Sequence, residues 1–191
     1  MKHILFIVGL LLLVTIGSCR KSKPLSELDK LPPETQIGAK TIGCLVDGKA
    51  FKPGGAQLSG GSYQCNFQYL GTGVNGGYYF VLAGRRRDGS GGGSSVGVLT
   101  DSLKISQGEK YPLKGWNTKG VASGGFSSYT NAYNSYQSYD TDGNLHTGEL
   151  WIKKLDTINQ IVSGIFWFDA VNATGQKVEI REGRFDMRYT R

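Results

Sequence analysis

Apolar and polar positions alternate through the C-terminal third of the chain. Val162, Gly164, Phe166, Phe168 and Ala170 share one side of residues 161–171; Val178 and Ile180 share one side of 177–181; Phe185, Met187 and Tyr189 share one side of 184–189. Lys177, Glu179, Arg181, Arg184, Asp186 and Arg188 fall on the opposite sides. A period of two belongs to strands, whose successive side chains point to opposite faces. With residues 149–155 before them, these runs predict a meander that has one buried and one wet face. Turn chemistry at Asp156-Thr157, residues 172–175 and Glu182-Gly183 separates the strands. Ile165 and Trp167 break the pattern by placing apolar groups on the wet side. Either a strand or loop covers them, or they begin an exposed patch of the kind that marks a partner site.

Upstream, short runs rich in Val, Ile, Tyr, Phe and Thr are punctuated by glycine, of which the chain has 29. Residues 41–46 and 49–52 flank Asp47-Gly48, a two-residue hairpin signal. Strands are predicted at 63–70, 78–85, 96–105 and 110–113, followed by a Gly/Ser/Tyr stretch reaching Tyr139. Helical periodicity is nearly absent. The pattern predicts an all-β fold, a single antiparallel β-sandwich, with a lipocalin-like β-barrel as the alternative.

The first 18 residues follow another rule. Lys2, an apolar run over residues 4–16 and the small pair Gly17-Ser18 lead to Cys19, with Arg20, Lys21 and Lys23 behind it. A run of about 13 residues fits the ~7–15 of a signal-peptide core, and falls short of the ~20 a spanning helix needs. The order of charge, apolar run, small residues and cysteine resembles a bacterial lipoprotein signal, which implies lipid on Cys19. Residues 1–18 are then the signal peptide, 19–40 the lipidated cysteine and a flexible tether bearing Pro24, Pro32 and Pro33, and 41–191 the all-β domain. Extended at ~3.1 Å per residue, such a tether would hold the domain tens of ångströms from the bilayer. A short helical turn is compatible with residues 26–31.

Residues 31–52, LPPETQIGAKTIGCLVDGKAFK, together with GELWIKKLD, IVSGIFWFDAVNATG and VEIREGRFDMRY near the other end, resemble a group of Bacteroidota lipoproteins that carry a domain of unknown function. The resemblance covers both ends of the domain. It implies an outer-membrane lipid anchor and one β-domain in the cell envelope, and brings no catalytic residue with it. Basic residues after Cys19, where surface-bound relatives carry acidic ones, point to a periplasm-facing protein.

The formal charge is +7, with the positive residues scattered apart from Arg85-Arg86-Arg87. In the expected compartment that favours affinity for anionic lipid or polysaccharide over nucleic acid. Cys44 and Cys65 remain once Cys19 is lipidated, and in an oxidising compartment they are candidates for a disulfide worth ~3 kcal/mol. The alternative is two buried free thiols. Candidate chemistry is sparse: after the signal His146 is the single histidine, no Gly-x-Ser-x-Gly elbow occurs, and Asp140–Asn144 suits a tight turn better than a calcium loop. No cofactor, no metal and no enzymatic activity are expected. Trp116, Tyr129, Tyr133, Tyr136 and Tyr139 stand among Ser, Asn and Gln: ordinary half-buried sheet positions, or the flat rings and amides that sugar recognition uses. Arg85, Arg86 and Arg87 stand at the base of a glycine-rich hairpin loop and are candidates for an anion contact. The expected role is noncatalytic binding of a glycan or envelope component. A structural lipoprotein that recruits a protein partner is the alternative, and a hydrolase built on His146 comes third.

Overall fold

A computed structural model describes residues 24–54, 61–73, 76–88, 91–115, 119–129 and 136–191. Their strands are β1 (Thr41–Val46), β2 (Lys49–Phe51), β3 (Tyr63–Tyr69), β4 (Tyr78–Arg87), β5 (Gly93–Asp101), β6 (Lys110–Leu113), β7 (Val121–Tyr129), β8 (Gln137–Asp140), β9 (Gly148–Asp156), β10 (Ile161–Val171) and β11 (Lys177–Arg188). One hydrogen-bonded path runs β2-β1-β11-β10-β9-β6-β7-β5-β4-β3, with β8 bridging β7 and β10. The pairings between these strands are antiparallel except β6 with β7, which meet at Leu113 and Ala122; the isolated bridges Gly54–Arg86 and Asn66–Thr190 are parallel too.

The path folds over at β6 so that its two halves face each other. Phe80 of β4 meets Phe185 of β11 with ring centroids 6.2 Å apart. A Cβ on Gly124 of β7 would lie 2.7 Å from the Phe168 ring of β10, so glycine there lets the halves close. The fold is an all-β sandwich around one core, in which Phe51, Phe80, Phe166 and Phe168 are almost wholly buried. Each such side chain contributes on the order of 1.5–3 kcal/mol by leaving water. Among the described residues the open edges touch only through single bridges, Gly54 to Arg86 and Asn66 to Thr190. That does not make the continuous ladder of a barrel.

One predicted boundary is corrected. Glu182-Gly183 does not end a strand but forms a bulge inside β11, where Phe166 pairs with Gly183 and Phe168 with Ile180. The extra residue, with Glu182 at φ 53, changes which parity faces inward. Val178 and Ile180 before it and Phe185, Met187 and Tyr189 after it can therefore all reach the core. Gly183 is needed because a Cβ would stand 2.4 Å from the Phe166 carbonyl oxygen.

The proline-bearing segment also differs from expectation. From Glu27 onward it is no free tether but a strap along β1. After a short 3-10 turn at Leu28–Lys30, Leu31 is buried and Pro32 lies where a Cβ on Gly43 would be 2.6 Å away. Lys153 pairs with Glu34 and Lys154 donates to the Gln36 carbonyl. The strap ends on Asp186, which alternation assigned to the wet face and which is fully buried. Its carboxylate accepts from the Thr35 hydroxyl at 2.6 Å and from the N–H groups of Ile37 (3.0 Å), Gly38 (2.7 Å) and Ala39 (3.1 Å). Burial pushes the Asp186 carboxyl pKa up, but these donors outweigh it and hold it below the usual carboxylate value.

A depressed carboxylate contributes stability above its unfolded pKa, ~3.9, and loses it as pH falls through the folded value. Asp186→Asn should therefore cost about 3 kcal/mol at pH 7, since one of its two oxygens becomes an NH₂ facing N–H donors. In urea titrations the gap from wild type should shrink as pH drops below about 4. A gap that stays constant to pH 3 would show that the carboxylate charge is not what holds the strap.

Candidate functional site

Cys19, Trp116 and Tyr133 lie outside the described residues. Tyr136 and Tyr139 do not converge. Tyr129 ends β7. Tyr139 packs on Phe126 with centroids 5.9 Å apart and donates its hydroxyl to Gln137, the behaviour of a sheet-surface residue. Tyr136 stands out into solvent, 68% exposed, at one rim of a trough on the outer face of β4, β5, β7 and β8. Ala83, Gly97, Gly125 and Asp140 are paired in one row across these strands, so the floor has almost no side chains. Ser95 and Ser127 share a hydrogen bond of 2.8 Å beside it. The trough holds about 210 Å³, below the ~300–1,000 Å³ of typical ligand pockets.

Arg85, Arg86 and Arg87 are consecutive on β4, so they alternate between faces and form no common cradle. Arg85 reaches Gln64 at 3.4 Å, whereas Arg86 lies 5.1 Å from the centre of the Phe51 ring. His146 is turned into its own loop: Nδ1 is 2.6 Å from Asp142 Oδ2, and Oδ1 of Asp142 accepts the N–H groups of Asn144, Leu145 and His146. The His146 hydrogen bond, then those backbone donors, hold the Asp142 carboxyl pKa far below the usual range. Nε2, the atom that would exchange a proton with a substrate, is buried. This pair closes a turn. Among the described residues no group of three or more His, Cys, Asp and Glu could hold a metal. Trp167 is 42% exposed beside half-buried Ile165, with the Arg181 guanidinium 5.6 Å from its ring centre, so these two are only partly covered.

The expected disulfide is absent. Cys44 and Cys65 are free and buried. Cys44 lies on β1 between β2 and β11, while Cys65 lies on β3, whose strand neighbour is β4. A bridge between neighbouring strands has no neighbours to join here.

A larger feature runs along β3, at the end of the sheet path. Among the described residues its outer edge is met only by Thr190, whose carbonyl accepts the Phe67 N–H at 2.8 Å and whose N–H donates to the Cys65 carbonyl at 3.0 Å. A groove opens on either side of this bridge, of about 540 and 500 Å³. Lys40, Arg188, Tyr63 and Asn66 line the first; Tyr69, Tyr78, Lys104 and Arg191 line the second; neither lining contains an Asp or Glu side chain. Lys40 Nζ is 5.8 Å from the Tyr63 ring centre, and Lys104 Nζ is 5.1 Å from that of Tyr78. The Tyr69 and Tyr78 rings lie 4.8 Å apart, and Tyr69 is 52% exposed. Arg188 and Arg191 donate to the carbonyls of Asn159 and Thr157. Ion pairs among the described residues engage Lys30, Lys110, Lys153, Arg181 and Arg184 but none of these four cations. Sequence reasoning missed this seam because its residues come from five separate stretches. The one local signal was Tyr69 and Tyr78 flanking a glycine-rich turn.

Burial pushes both domain thiols up to about 12, so at pH 8 almost no thiolate is present to react. In a Cys19→Ala chain, thiol titration should find no reactive group before unfolding and two after it. Finding none in denaturant would show a disulfide after all.

Searches against protein-family models, curated proteins and solved structures found no match to this chain.

Proposed function

We propose that this chain is a lipid-anchored cell-envelope protein, attached through Cys19, whose sandwich binds an acidic glycan along the β3 seam without transforming it. The observation that carries this reading is the set of four cations, Lys40, Lys104, Arg188 and Arg191, that have no ion-pair partner among the described residues and are set among tyrosines in grooves lined by no Asp or Glu side chain. Cations left unpaired beside one another are held at a cost that an anionic ligand relieves. The exposed Tyr69 ring suits a pyranose face, and Gln64, Asn66 and Gln68 supply amides for hydroxyls. The seam thus replaces the tyrosine-rich loop as the favoured seat for a glycan. The trough beside Tyr136 is smaller and ends in Asp140, whose carboxyl pKa burial raises.

A protein-recruiting role has one observation in its favour, the half-exposed Trp167 capped by Arg181. Removing that ring would leave glycan binding intact, which separates the two readings.

Polygalacturonate should bind the protein and neutral dextran should not, with affinity falling as salt rises. Tyr69→Ala and Lys104→Gln should each weaken polygalacturonate binding roughly tenfold, about 1.4 kcal/mol. Calorimetry showing equal affinity in wild type and both variants would exclude the seam.

A further inference from the structure

The strap fixes where the chain enters the domain. Glu27 accepts the Ala50 N–H at 2.7 Å, beside the β1–β2 hairpin, whereas Thr35 and the backbone through Ala39 are held by Asp186 at the other end of β1, where Thr41 pairs with Asp186. The polypeptide therefore arrives at the hairpin end. Five residue steps separate Pro24 from Cys19, and five steps reach at most ~18 Å.

That end carries cations whose nearby carboxylates are already engaged. Lys49 and Arg86 border one cavity with Glu27 and Asp47. Gly54 pairs with β4 there, donating to the Arg85 carbonyl and accepting the Arg87 N–H, and exposed Lys52 lies two residues before it. Glu27 is paired with Lys30, Asp29 accepts from the backbone and hydroxyl of Ser26, and Asp47 accepts the Glu179 N–H. Leu25 and Leu28, 65% and 46% exposed, stand beside them. Apolar side chains among uncommitted cations are the composition of an interfacial membrane contact.

We infer that the β1–β2 hairpin end, with Lys49, Lys52, Arg86, Leu25 and Leu28, rests on the anionic headgroups of the bilayer that holds the anchor. This rests on lipidation of Cys19. The strap makes the leash short, so the domain does not stand tens of ångströms away. The Ile158 turn and the Tyr69–Tyr78 groove lie at the other end of β11, on the order of 25 Å further from the lipid.

The test uses the full lipidated chain on phosphatidylethanolamine vesicles with and without phosphatidylglycerol. A fluorophore is attached to Lys49→Cys or to Ile158→Cys, which is selective because Cys44 and Cys65 are buried. With a quencher on the headgroups, the label at 49 should be quenched several-fold more than the label at 158. Lys52→Gln with Arg86→Gln should lower that quenching on phosphatidylglycerol vesicles to the level seen without that lipid. A chain that floats with its vesicles while both labels are quenched alike overturns the orientation and leaves the anchor standing. Quenching unaffected by the double variant overturns the charge contact, and a chain that does not float overturns anchor and orientation together.

Discussion

The buried Asp186 carboxylate is the constraint on which the arrangement of this molecule depends. An ionised carboxylate taken from water without partners costs several kcal/mol or more. Here four donors from one short stretch, Thr35 to Ala39, replace the lost water. The dependence is mutual: the carboxylate tolerates burial because the strap covers it, and the strap stays because its N–H groups have no better acceptor. Gly38, at φ 76, lets successive N–H groups turn toward one charge, and a Cβ there would press to 3.0 Å on Arg188. A proline-bearing leader thus becomes part of the domain, and the groove beside Gly38, Lys40 and Arg188 acquires one of its walls.

Most of the fold was legible because strand periodicity survives in single residues. β10 keeps its even positions inward along its whole length, and β6 and β10 have the bounds the pattern gave them. The failures have physical causes. Parity changes within β11, and from sequence alone that change looks like a turn, since Glu182-Gly183 suits a turn as well as a bulge. Alternation also assumes that the second face meets water, which holds for Lys177 and Glu179 and fails at Asp186 because a distant segment lies over it. A carboxylate between two arginines in the sequence carries no mark that Thr35, far upstream, will cover it.

The candidate site was much less legible. Composition pointed to tyrosines close in sequence, but closeness along a strand separates side chains onto two faces. Tyr136 and Tyr139 behave accordingly, one exposed and one packed on Phe126, and the three consecutive arginines are divided in the same way. What gathers side chains in a sheet protein is the closing of edges. Thr190 brings Arg188 and Arg191 to β3, and the hairpin between β3 and β4 brings Tyr78 against Tyr69. The cysteines fail for the reciprocal reason: Cys44 and Cys65 share one core without sitting on paired strands.

Strap and seam are consequences of one geometry. β11 carries Asp186 near its end and leads on to Thr190, so the residue that captures the leader lies four positions before the residue that closes the sandwich. Loosening the strap would remove Gly38 and Lys40 from the first groove and free Arg188, whose stem packs where a Cβ on Gly38 would lie. The second groove draws on Tyr69, Tyr78, Lys104 and Arg191 and touches none of the strap. The two halves of the seam therefore differ in what they depend on. The half near Lys40 is coupled to the carboxylate clamp, while the half near Tyr69 stands on the β3–β4 hairpin, Lys104, Thr157 and the C-terminal residues. An anionic chain long enough to cross Thr190 would span both, and its hold on the first half would stabilise the same strap that fixes where the chain enters the domain.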